Sequence, residues 1–210
     1  ASCLPTRTAT TFGDVIVPSN TSQEAYDALI AKYWRPIGAD LSPVPTSIEI
    51  VSELDELMPG KPRTTRVYLG NWDPWYADTS KVEIVMTSSE SIATIEGDTI
   101  TSTGITGDIV LEARIIDTQE VIITKTIPVS ETDSYPNLIK FRFNSVPPSY
   151  TTVITVNGSS KQLSQLTYDS ITDIYSYDAG APITSIKFYS NLGEIVKLNT
   201  SNITSMVDMF

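Results

Sequence analysis

From residue 47 to about residue 130, apolar and polar positions alternate with a period close to two, the spacing of strands that turn one face to a core. The segments SIEIV (47–51), TTRVYL (64–69), KVEIVMT (81–87), SIATI (91–95), DTITS (98–102), DIVLEARI (108–115) and EVIITKTIPV (120–129) carry it. Turn formers separate them: Pro59-Gly60, Gly70-Asn71, Gly97-Asp98, Gly104 and Gly107. Seven short strands so punctuated, within roughly 85 residues, are the pattern of an immunoglobulin-like β-sandwich. The pattern puts Ile92, Ile95, Ile100, Val110 and Leu111 in the interior, with small Ala93 where two sheets approach.

Upstream the period changes. Tyr26, Leu29, Ile30 and Tyr33 recur at helical spacing behind TSQE (21–24), a Thr three residues before a Glu, as in a capping box. This predicts a helix of about three turns over 22–34, ended by Pro36 and Gly38. Residues 1–20 read as an extended arm with a short strand at VIVP (15–18), and LSPVPTS (41–47) as a stiff Pro-rich linker. The helix stripe, with Trp34, is either core or docking surface. Because little sequence surrounds it, residues 1–45 are the expected anchor, and Tyr26, Leu29, Ile30, Tyr33 and Trp34 the expected assembly interface.

Downstream, residues 131–191 read as a second, smaller β module. ETDSYPNLIKFRFNS (131–145) reads as a linker and a strand and precedes PPSYTTVITVNGSSKQL (147–163), whose Asn157-Gly158 pair is the strongest short hairpin signal. Further strands are expected at ITDIYSYD (171–178) and ITSIKFYS (183–190).

Composition narrows the chemistry. The 210 residues include no His and one Cys, Cys3, so the commonest general base and metal ligand is missing and no internal disulfide can form. The net charge of −11 is the wrong sign for a nucleic-acid backbone or an anionic membrane surface. No apolar run is long enough to span a membrane as a helix. The expectation is therefore a protein with no catalytic, cofactor or metal residues, no nucleic-acid partner and no membrane span. Nothing at the N-terminus reads as a signal peptide. A start at Ala1 fits removal of an initiator Met, whereas ASC (1–3) also fits the remnant of a lipoprotein cleavage site.

Ser88-Ser89-Glu90-Ser91-Ile92-Ala93-Thr94-Ile95, with Pro59-Gly60 and Pro74 and Ala77 before it and Gly97, Ile100-Thr101, Gly104, Gly107 and Ile109–Ala113 after it, resembles the bacterial Ig-like domain, group 2. The resemblance covers about 47–129 and departs where that family often has a tryptophan ahead of the double Ser; Val85 stands near there. Leu198-Asn199-Thr200-Ser201-Asn202-Ile203-Thr204-Ser205-Met206-Val207-Asp208-Met209-Phe210 resembles the opening of a BspA-type leucine-rich repeat. A solenoid repeat needs neighbours to cover its face, so this resemblance implies a chain continuing past Phe210. Together the resemblances imply a mainly β protein in four parts: arm and helix (1–45), Ig-like sandwich (46–130), small β module (131–191) and the start of a leucine-rich solenoid (192–210).

That arrangement resembles a bacteriophage head fibre or other virion appendage. It implies a non-catalytic structural or adhesive protein at the virion surface, a homo-oligomer (a trimer by analogy) held to capsid or other virion proteins. A bacterial cell-surface adhesin or lipoprotein is the alternative. Within this frame the loop GNWDPWYAD (70–78) offers Trp72, Trp75 and Tyr76 to a host-surface glycan or protein, unless they fold back to cap the sandwich edge. Asp73 and Asp78 flank it and could hold Ca²⁺, although two carboxylates alone are usually just solvated. Glu53, Asp55 and Glu56 in SELDELMPG (52–60) have the residue types of a glycosidase pair, but their place beside a turn predicts a solvated cluster.

Overall fold

The computed structural model describes residues 13–207 apart from 61–62, 132, 134, 190–191 and 200, with 205–207 described through their backbone. Cys3 and most of the expected arm lie outside the described residues, as do the last three positions of the repeat resemblance. The protein is mainly β, with several small sheets and, among the described residues, one α-helix. The chain forms two compact units. The first takes in the described chain through Val51, then Val67–Ile100 and Asp108–Thr126; the second takes in Ser52–Arg66, Thr101–Gly107 and the described chain from Ile127 on.

The N-terminal strand β1 (Gly13–Ile16) pairs in parallel with β2 (Trp34–Ile37), and helix α1 (Gln23–Ile30) lies between them in sequence. The helix differs from its expected span at both ends. Ser22, not Thr21, is the N-cap, its Oγ accepting from the Ala25 N–H at 3.3 Å. Thr21 Oγ1 instead donates to the Pro18 carbonyl at 2.6 Å. The helix stops at Ile30 and Tyr33 turns left-handed at φ 57°. Trp34, the expected last residue of the helix, instead opens β2 because β1 offers it a partner. Pro36 has no N–H to give a ladder, and in a two-stranded sheet its outer edge can go without one.

All seven strands expected over 47–129 are present: β3 (Ser47–Ser52), β4 (Arg63–Asp73), β5 (Val82–Met86), β6 (Ala93–Glu96), β7 (Thr99–Ser102), β8 (Gly107–Ile115) and β9 (Val121–Val129). They form a sheet of order β3-β4-β7-β6 and another of order β5-β8-β9. Ala93 and Ile100 are fully buried, but Ile92, Ile95 and Val110 are only half-buried. On β8 the inward face is Ile109, Leu111 and Ala113. Val110 and Leu111 are neighbours on one strand and must point to opposite faces, so only one of them could be interior. The 41–47 segment is no free spacer. Ser42 and Pro45 are buried, Lys81 Nζ donates to the Ser42 carbonyl at 2.5 Å, and the Asp78 and Thr46 N–H groups donate to the carbonyls of Pro43 and Asp73.

The remaining strands are β10 (Leu138–Phe143), β11 (Thr152–Val156), β12 (Ser159–Gln162), β13 (Thr167–Asp169), β14 (Ile174–Asp178), β15 (Ser185–Phe188), β16 (Leu192–Lys197) and β17 (Ser205–Val207). Their sheet orders are β13-β14-β10-β16 and β12-β11-β15-β17. Ile139, Phe141, Val153, Ile154, Ile186 and Phe188 are the centre of the second unit's core, with Phe143 and Phe188 edge-on to Phe141 at 5.3 Å. Each such side chain contributes about 1.5–3 kcal/mol by leaving water. Asn157 and Gly158 sit at φ 51° and 77° in the β11–β12 turn, the left-handed pair that a two-residue hairpin requires.

Candidate functional site

β4 ends in the aromatic loop. Trp72 donates its indole N–H to the Trp75 carbonyl at 3.2 Å, so the loop closes on itself. The Arg35 guanidinium stacks 4.6 Å from the Trp72 ring centroid, while its Nε and one Nη hold Asp14 at 2.8 and 2.7 Å. Tyr33 lies 5.5 Å from Trp75 between centroids, and Trp75 meets Tyr76 edge-on at 5.6 Å. Trp72, Trp75 and Tyr76 are all half-buried. Part of each aromatic surface braces the first unit and part faces solvent. Beside Tyr76 opens a cavity of about 350 Å³, lined also by Gln23, Tyr26, Asp27, Ile30, Leu41 and Pro43.

The other expected residues fall out differently. Tyr26 and Leu29 keep only 6% and 4% of their surface and belong to the first unit's own interior. Tyr26 and Leu29 therefore do not wait for a partner to cover them. Ile30, Tyr33 and Trp34 remain half-buried. Asp78, expected as a candidate Ca²⁺ ligand, is fully buried and accepts from the Ser80 hydroxyl at 2.6 Å and the N–H groups of Ser80 and Gly38 at 3.0 and 3.1 Å. Burial pushes its carboxyl up, but those hydrogen bonds and the Lys81 charge outweigh it and hold it below the ordinary range. Asp78 is a backbone staple. Among the described residues, no three His, Cys, Asp or Glu side chains are grouped to hold a metal ion.

The acidic cluster is the largest departure from expectation. Glu53 and Glu56 are buried rather than solvated. Arg142 of β10 and Arg66 of β4 both pair with Glu53 Oε1, the latter at 2.8 Å. Both also reach Glu194 of β16, at 2.7 and 3.2 Å, and Arg142 donates to the Thr172 carbonyl at 2.9 Å. Burial alone would lower the Arg142 pKa, yet Glu53 and Glu194 raise it. Lys140 donates to the Glu53 carbonyl at 2.8 Å and stands 3.6 Å from Asp55. A separate group joins Lys197 to Asp133 at 2.8 Å and to Glu56 at 3.6 Å. It borders a cleft of about 580 Å³ whose walls include Leu54, Leu57, Val196 and Leu198.

No basic residue near 53–56 in sequence announces these partners. The signal was in LIKFRF, where Lys140 and Arg142 stand two apart, on the face opposite buried Ile139 and Phe141. When the charged face of a strand is itself covered, its cations need buried anions. The chain matches no protein-family model and no curated protein.

Proposed function

We propose that the protein is a non-catalytic attachment and display module, a β-rich part of a bacteriophage virion appendage such as a head fibre, capsid decoration or tail protein. In this reading the seven strands from β3 to β9 are an Ig-like sandwich, and the chain from 192 on opens a leucine-rich solenoid. Segments near the N-terminus seat a homotrimer on other virion proteins, and the aromatic loop meets a glycan or protein of the host surface. The observation that carries the reading is the loop itself: Trp72, Trp75 and Tyr76 gathered on a braced turn, each with part of its surface in solvent. A rigid aromatic rim gives large contact area at little entropic expense on binding.

The test is saturable binding of the purified chain to intact bacterial cells and to immobilised glycans. Trp75→Ala should weaken binding at least about tenfold, since an aromatic anchor is worth about 2 kcal/mol or more, with the far-UV spectrum unchanged. Binding that survives the loss of both Trp75 and Tyr76 would refute the role of the loop. A chain absent from purified particles, by immunodetection, would refute the virion reading.

A further inference from the structure

The group around Lys197 holds more than an ion pair needs. Lys197 Nζ lies 2.8 Å from Oδ1 of Asp133. Glu56 Oε1 is 3.6 Å from the same Nζ, so two carboxyl groups converge on one ammonium. The three side chains keep only 15%, 14% and 7% of their surface. The Tyr135 N–H donates to Asp133 Oδ1 at 2.9 Å and Asn199 Nδ2 to Oδ2 at 3.2 Å, so the Asp133 carboxyl is fixed in place. The Tyr135 ring stands 5.5 Å from Nζ. A lysine and one carboxylate would satisfy each other. The second carboxyl places another group able to carry a proton beside the same nitrogen.

We infer that Lys197 and Asp133 form a reactive pair, placed to condense into an intramolecular amide between Nζ and Cγ, with Glu56 relaying the proton. The Lys197 ammonium passes one proton to the Asp133 carboxylate, which burial assists by disfavouring two separated charges. The neutral Nζ attacks Cγ and the C–N bond forms. Glu56 takes a proton from the nitrogen and delivers it to the departing Asp133 oxygen, which leaves as water. Ammonium and carboxylate become a secondary amide and one water; Glu56 ends as it began, and no oxidant, reductant or second substrate is needed. Asp133 fits the ionised partner. Burial pushes its carboxyl up, but Lys197, the Tyr135 N–H and Glu56 bring it below the ordinary range. Holding the reacting groups in hydrogen-bond contact supplies the proximity that makes such a step fast without a cofactor. The link would close 64 positions of chain, tying the end of β16 to the segment that leads into β10. It stands or falls independently of the attachment reading.

The experiment is intact-mass measurement of the full chain, purified and then denatured. The wild type should be lighter than its sequence by one water, and tandem spectra should show a branched peptide joining Lys197 to Asp133. Lys197→Arg keeps the charge but should restore the full mass, as should the isosteric Glu56→Gln. Asp133→Asn should still link, now losing ammonia instead of water. A wild-type mass equal to the unmodified sequence overturns the inference, whatever the variants do. A branch at Glu56 or Asn199, or a Glu56→Gln protein that links as fully as wild type, overturns the assigned roles.

Discussion

Replacing Glu53 by Gln removes one charge from the centre of a buried network and keeps its shape. Glu53 is 5% exposed and is the buried one of the two carboxylates that Arg142 and Arg66 share. Arg142 keeps only 13% of its side-chain surface, so water cannot replace the lost partner. Breaking a buried pair from one side costs about 3–5 kcal/mol, because the other charge stays buried. Arg142 retains Glu194 and the Thr172 carbonyl, so the lower end, about 3 kcal/mol, is expected. Glu194 is the internal control. It pairs with the same two arginines, but its side chain is 52% exposed, and Glu194→Gln should cost about 1 kcal/mol or less. Urea unfolding at neutral pH, followed by far-UV circular dichroism, reads both. With a slope of about 1–3 kcal/mol/M, Glu53→Gln should lower the midpoint by roughly 1–3 M. Equal, small effects at the two positions would refute the claim that burial, and not pairing as such, sets the energetics.

The remaining expectations concern packing, backbone and pH. Ala93 is fully buried on β6, so Ala93→Leu should overpack it and lower stability by about 1–3 kcal/mol; an unchanged melting curve would count against its interior position. Gly38 sits at φ 90°, and an added Cβ would lie 3.2 Å from the Val17 carbonyl oxygen, so Gly38→Ala should cost about 1–2 kcal/mol in the same unfolding assay. Asp78 has a folded pKa below its ordinary 3.8, so its contribution is present above that value and is lost as pH falls through the lower folded one, the unfolded chain taking up its proton first. The stability gap between wild type and Asp78→Asn should therefore be widest near neutral pH and shrink in acid; a gap that is constant with pH would refute the role given to that charge.

Strand alternation and turn residues were enough to place the elements from β3 to β9 and the Asn157-Gly158 hairpin, since those signals are local. What was not legible depended on partners far along the chain. The helix lost its last turn because β1, some twenty residues upstream of β2, competes for Trp34–Ile37 through pairing that helical periodicity does not register. The buried state of Glu53 and Glu56 was hidden for the same reason: the cations that make burial tolerable stand at 66, 142 and 197. Val110 was misplaced for a local reason, since strict alternation along β8 excludes it once Leu111 is inside. In the aromatic loop the residue types were visible, but the stacking of Arg35 on Trp72, which fixes the loop's posture, joins segments 37 positions apart.

The parallel pairing of β1 with β2 has a mechanical meaning. In a parallel pair, tension that draws the first strand back toward its own N-terminus, while the rest of the chain holds the far end of the second, runs along the strands. The ladder from the Gly13 N–H on the Tyr33 carbonyl to the Val17 N–H on the Ile37 carbonyl is then strained all at once, not one rung after another as in a peeled hairpin. β15 and β17 repeat the arrangement near the other end, and again a pull beyond the later strand acts along both. Rupture under pulling is governed by the height of the unfolding barrier and not by equilibrium stability, and strands sheared in unison raise that barrier. Each of these two parallel pairs would thus take an end-to-end pull in shear, with its rungs loaded together.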